Sequence, residues 1–315
     1  MDDLRSLREW RAEVPEPDQE WSIPQRRRLL TRIRRRRWTW AHRLITVGAA
    51  GAAVAVLAVV ALPSEPSVTE PAVTPSSAVR LDPGLVLAQA AKVASERGDA
   101  PRPAPTQWHY TRSMDKQPTS DTAQTYERWI RYDGKQTAGF GENGDLVVTD
   151  VPPDPGDDDL APGQYDAKLR GLPTDPRKLL AKVTGDRHWI DFPQEKGVPR
   201  NAEPPDARAY RVITLYLSRY GTMPPRLEAA MFQALALIPG VRIEHGVTDA
   251  AGRSGLGIWR EGGGDVRRYD ILDPDTYRYL GTATVWLRDS HLPKGAVWRT
   301  ALLSSMIVDR PGERG

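Results

Sequence analysis

Residues 225–248 read PRLEAAMFQALALIPGVRIEHGVT, and the period of the apolar positions changes once inside this stretch. Leu227, Ala230, Met231, Ala234, Leu235 and Ile238 recur at i, i+3, i+4 and i+7, which makes one face of an amphipathic helix. Pro239-Gly240 stops that helix. Val241, Ile243, His245 and Val247 then alternate, the period of a strand with one face in a core. A helix that hands over directly to strands sets the fold class.

Reading toward the C-terminus, the period stays at two. Residues 248–255 turn the chain and 257–261 return. A glycine turn at 262–265 leads into a strand over 266–272. A turn at 273–276, a strand over 277–288 and a last strand over 296–308 complete an antiparallel meander. Reading toward the N-terminus, residues 207–220 predict a helix. Residues 177–183 predict another, with Thr174 or Asp175 as its cap ahead of Pro176. Residues 151–172 are rich in Pro, Gly and Asp and read as a loop. Strands are expected over 107–114, 125–132 and 146–151, with turns at Asp133-Gly134 and at 141–144. Asp82 and Pro83 start a helix through Leu85 and Val93. Strands, then a helical insert, then strands define an α+β domain over residues 81–315, built on an antiparallel β-meander. That length is ample for one core.

Ahead of the domain, the run from Leu44 to Leu62 is 19 residues without a charge. About 20 apolar residues in a helix cross the hydrocarbon core of a bilayer. Residues 44–62 therefore predict one transmembrane helix. A cleaved signal peptide fits less well, because 43 residues precede the run and residues 59–62 lack a small-x-small cleavage site. Nine arginines lie within 20 residues upstream, Arg37 and Arg43 among them, and only Arg80 follows before Asp82. The positive-inside rule places residues 1–43 in the cytoplasm and residues 81–315 outside. Trp38 and Trp40 stand where an interfacial aromatic belt would be. Gly48 and Ala52 offer one small-xxx-small pair, enough for weak self-association at most. Residues 63–80, with four prolines and four serines, form a semi-rigid spacer.

The net charge of +3 is unevenly spread: residues 1–43 carry +5 and the remainder −2. The basic character therefore belongs to the membrane-proximal tail, where it sets topology and attracts anionic lipid headgroups; it does not predict nucleic-acid binding. The chain has no Cys, which excludes disulfides and cysteine zinc sites. Arg outnumbers Lys 36 to 8, a usage common in GC-rich bacteria.

Motifs that carry chemistry are missing. Asp154, Asp157, Asp158 and Asp159 lack the order of a calcium loop. The five histidines form no HExxH, and His109 and His245 read as half-buried strand residues. Gly252-Arg253-Ser254-Gly255-Leu256 has Leu where a nucleophile elbow needs a fifth-position Gly, and Gly255-Leu256-Gly257 lacks the third glycine of a dinucleotide site. No catalytic residue, cofactor or metal site is predicted. Ten Trp and ten Tyr stand beside three Phe. Trp108, Tyr110, Trp129, Trp259, Tyr269 and Trp286 all fall on strands or strand ends. They read as cross-strand packing or, alternatively, as the lining of an apolar ligand groove on a curved sheet.

Leu172-Pro173-Thr174-Asp175-Pro176, Ile238-Pro239-Gly240-Val241, the run VTDAAG at 247–252 with Arg253-Ser254-Gly255, and LDPDTY at 272–277 carry a resemblance. With the Arg-rich start and the single span, the chain resembles a family of actinobacterial single-pass membrane proteins. Genes of that family often lie beside those of extracytoplasmic-function sigma factors. These motifs are turn and cap signatures, and the family brings no catalytic residues. The resemblance implies a non-enzymatic accessory or sensor protein of the plasma membrane, with residues 1–43 contacting a cytoplasmic regulator of the sigma-factor pathway. The tail lacks the His-xxx-Cys-xx-Cys motif of zinc-binding anti-sigma factors. The helical insert is also loosely similar to the folds of lipoprotein carriers, so a tethered carrier of lipid or lipoprotein is the alternative. An envelope hydrolase is the third reading.

Overall fold

The computed structural model describes residues 79–99, 102–141, 143–152, 160–186, 189–190, 203–219, 222–262 and 264–315. The tail, the span and the spacer up to residue 78 lie outside the described residues, and with them Arg37, Trp38, Trp40, Arg43, Leu44 and Leu62; so do Asp154, Asp157, Asp158 and Asp159. Among the described residues no helix is long and apolar enough to cross a membrane.

The described chain is an α+β fold of ten strands and five principal helices. Strand β1 (Val79–Leu81) leads into helix α1 (Pro83–Ser95). Strands β2 (Trp108–Lys116), β3 (Gln124–Arg131), β4 (Gln136–Phe140) and β5 (Leu146–Asp150) follow. Four helices come next: α2 (Pro162–Arg170), α3 (Pro176–Thr184), α4 (Pro205–Leu217) and α5 (Pro225–Ala236). The chain closes with β6 (Val241–Thr248), β7 (Ser254–Arg260), β8 (Val266–Leu272), β9 (Tyr279–Trp286) and β10 (Val297–Val308). All strands join one antiparallel sheet in the order β1-β6-β7-β8-β9-β10-β2-β3-β4-β5. Two meanders, β2 to β5 and β6 to β10, are thus joined where β10 lies beside β2.

Local chemistry explains the element starts. The Asp82 carboxylate accepts from the Leu85 amide at 2.9 Å, and the Asp175 carboxylate from the Lys178 amide at 2.8 Å. Each satisfies a helix N–H that has no intrahelical partner, and a Pro follows each cap at N1. Of the two cap candidates before α3, Asp175 is the one used. Two expectations are corrected. Val79 and Arg80, assigned to the spacer, pair with His245 and Glu244, so they already belong to the sheet. The segment 151–172, read as a loop, contains α2. That helix sends Tyr165 and Leu169 into the core cluster, too few for a visible period. The Gln164 carboxamide starts it by accepting from the Ala161 amide at 2.7 Å.

The family-like motifs are turn staples. In 247–255, the buried Asp249 carboxylate accepts from the Ala251 and Arg253 amides and pairs with the Arg253 guanidinium. Arg253 then donates to the carbonyls of Leu280 and Leu302 on β9 and β10, at 3.0 and 2.9 Å. In 272–277, one Asp273 oxygen accepts from the Asp275 and Thr276 amides and the Thr276 hydroxyl. This knot holds Tyr277 at φ 55°, a conformation costly for a bulky residue. Burial pushes the Asp273 carboxyl up, but those hydrogen bonds, led by the Thr276 amide, outweigh it and hold the group below its usual range.

The main core lies between the helices and the β6–β8 part of the sheet. Leu87, Ala90 and Ala94 of α1 and Leu227, Met231 and Leu235 of α5 pack in one cluster with Ile243, Leu256, Ile258 and Leu272. Each large apolar side chain buried this way contributes about 1.5–3 kcal/mol. Glu228 of α5 is buried but paired with Arg97, after α1, and with Arg278, after the β8–β9 turn. Burying a carboxylate is tolerable only with such partners.

Candidate functional site

The six aromatic candidates fall into separate groups. Trp108, Tyr110 and Trp129 are buried in a cluster with Ala138 and Val308. Tyr110 and Trp129 stack at 4.8 Å, and Phe140 meets Trp129 edge-on. Residues 309–315 close this cluster: the Trp129 indole donates to the Glu313 carbonyl at 2.8 Å, and Arg314 forks onto Glu127 at 2.8 and 3.1 Å. Tyr110 donates to the same Glu127 at 3.0 Å. Arg314 is the main reason that the Glu127 carboxyl stays below its usual range.

Trp259 and Tyr269 belong to a second cluster with Ile271, Leu280 and Ala283. Both polar tips donate to the buried Glu244 carboxylate, at 3.2 and 2.8 Å, and the Arg267 guanidinium lies 4.0 Å over the Trp259 ring. Gly257 makes room here: a Cβ would meet Val247 at 2.5 Å and Tyr269 at 2.9 Å. Trp286, at the end of β9, packs edge-on against His291. Packing across neighbouring strands, not a ligand groove, is where this aromatic content goes.

The open site is elsewhere, on the sheet face toward the helices. Alternation along β2 sends Trp108 and Tyr110 one way and His109, Thr111 and Ser113 the other. The β10–β2 register sets His109 opposite Ile307, Thr111 opposite Ser305 and Ser113 opposite Leu302. A bulge between Leu302 and Ser304 shifts the register there. These strands, with Thr300 of β10 and Tyr279 of β9, floor a cleft of about 270 Å³; Ser218 and Arg219, just past α4, wall it. The cleft residues are half-buried, so they meet solvent without being loose.

Its electrostatics are simple. His109 Nε2 lies 2.9 Å from the Ser305 hydroxyl. Burial, and then the nearby Arg219 charge, lower the His109 pKa to about 4, so the ring is neutral at physiological pH. The Arg219 guanidinium stacks 4.4 Å over the Tyr165 ring, and among the described residues no carboxylate pairs with it. Behind the cleft, Tyr210 of α4 donates to Asp270 at 3.1 Å and to the Ile258 carbonyl at 2.9 Å. Burial pushes the Asp270 carboxyl up, with Arg268 and the Tyr210 and Thr214 hydroxyls opposing. Thr282 and Thr300 share a hydroxyl contact at 2.8 Å. A larger surface notch of about 460 Å³ is lined by residues 307–309 and 313–315, the segment that closes the first aromatic cluster.

The arrangement can bind: hydroxyls that donate and accept, a neutral imidazole and one guanidinium converge on a small volume. Among the described residues no three His, Asp or Glu side chains come together as metal ligands. Sequence reasoning placed His109 as a half-buried strand residue and missed the cleft. The only visible signal was the polar side of an alternating strand. Compared with family models, curated proteins and solved structures, the chain matches none.

Proposed function

We propose that this chain is a membrane-anchored, non-enzymatic binding protein of the bacterial cell envelope. Its N-terminal tail is cytoplasmic, residues 44–62 cross the membrane once, and the α+β domain senses a small polar ligand outside. The observation that carries the binding role is the cleft between β9, β10, β2 and the end of α4, where a guanidinium with no carboxylate partner among the described residues meets a hydroxyl-lined floor. The apolar run 44–62, with arginines on one side only, supports the anchor and its orientation. The likeness to sigma-factor neighbours makes the tail the contact for a cytoplasmic regulator.

The carrier alternative needs an apolar hollow facing the helices. That face is filled by core side chains over β6–β8 and lined by hydroxyls over β10–β2, which counts against it. One observation favours the hydrolase reading, the contact between His109 and Ser305. No carboxylate orients that ring among the described residues, so the pair lacks the third member of a triad.

The test has two arms. Protease added to right-side-out cells should digest residues 81–315 and spare an epitope placed before residue 43; the reverse pattern would refute the topology. The full chain is then treated with a fluorophosphonate probe. Absence of labelling agrees with a binding protein, and labelling of Ser305 would establish a hydrolase instead.

A further inference from the structure

We infer that the cleft recognises a small acidic polyhydroxylated ligand, an oxyanion carried on a sugar-sized body; this rests on reading the cleft as the ligand site. Three observations lead there. The first is Arg219, half-buried and held in place by stacking on Tyr165, with no carboxylate partner among the described residues. A guanidinium so placed presents a rigid fork, whose natural complement is a carboxylate or phosphate. Its stacking partner supplies position without neutralising its charge.

The second is the floor. Thr111, Ser113, Thr300 and Ser305 present hydroxyls from two adjacent strands, with the neutral His109 among them. Hydroxyls and a neutral imidazole each donate and accept, which matches ligand hydroxyls rather than a bare anion or an apolar chain. The third is size. A cavity of about 270 Å³ lies just under the range of about 300–1,000 Å³ typical for drug-sized ligands, so it suits one sugar ring. Neither a lipid tail nor a peptide segment fits this combination of volume and lining. Uronic acids and sugar phosphates share the required chemistry.

The test is calorimetric titration of the full chain in detergent with glucuronate, glucose 1-phosphate and glucose at neutral pH. Both acids should bind, and glucose should bind at least about tenfold more weakly. Arg219→Gln should weaken both acids by about tenfold or more and leave glucose unchanged. Thr111→Val, a change of shape-neutral kind at a side chain with no hydrogen bond among the described residues, should weaken all three while preserving the fold. Glucose binding as tightly as the acids, or an Arg219→Gln variant that binds them normally, would overturn the inference. So would heat from none of the three. In that last case, hydrogen exchange over residues 109–113 separates the two readings. Slowing by a total polar extract of the envelope would leave the cleft as a ligand site with another ligand class; no slowing would remove the binding role as well.

Discussion

Between β6 and β8 the face toward the helices carries Ile243, Leu256, Ile258 and Leu272, and the helices seal it. Between β10 and β2 the same face of the same sheet carries Thr300, Ser305, Thr111 and Ser113, and the helices stop at Ser218 and Arg219. Both regions are antiparallel strands with alternating side chains. They differ in what the alternation exposes: the first region is built for stability, whereas the second spends hydroxyls where apolar residues would stabilise more. A polar floor that no helix covers among the described residues is the expected signature of a site rather than of a core.

Mutations can break this contrast or sharpen it. The largest effect should come from the sealed region. Phe232→Ala, at a fully buried position of α5, is expected to cost about 3–5 kcal/mol, read from denaturant unfolding of the full chain in detergent. A loss below about 1 kcal/mol would mean that this half is not the core.

Acid should act next, through His109. Its pKa is about 4 when folded against 6.5 when unfolded, so the unfolded state binds the extra proton between those values. Stability from this group is fully present above pH 6.5 and is lost as pH falls toward 4, by about 2–3 kcal/mol. His109→Gln should remove that part of the acid sensitivity, leaving the part due to carboxylates such as Glu127. Identical pH profiles for the two proteins would show that His109 is not the group responsible.

Asp249→Asn should cost about 2 kcal/mol, since it weakens the staple through Arg253 to β9 and β10. Hydrogen exchange should quicken at 249–255 and along β9. Uniform protection would show the staple to be dispensable. The smallest effect should come from the cleft floor. Thr111→Val and Ser113→Ala are expected to change stability by less than about 0.5 kcal/mol. A loss of more than about 1 kcal/mol would make these hydroxyls structural and erase the difference between the regions.

Much of the fold was legible because its signals are local. The caps Asp82 and Asp175, the 3.6-residue period of α5 and the two-residue period of β6 each arise within a few residues of chain. Helix α2 escaped because a nine-residue helix that sends two side chains into the core cluster has almost no period to read. The grouping of the aromatic candidates was out of reach for a related reason. Alternation shows that Trp108, Tyr110 and Trp129 share a face, but not that residues 309–315 fold over that face.

The sequence alone determined most of the elements, many of their ends, the α+β class and the charge asymmetry around the apolar run 44–62, because propensity, capping and periodicity act between near neighbours. Only the tertiary structure decided that β10 pairs with β2, setting Thr111 opposite Ser305 across nearly 200 residues of chain, and that α4 ends with Arg219 over them. Strand pairing between distant segments depends on how two meanders and five helices share one core. No short window of residues contains that information, so the cleft exists only once the chain has folded.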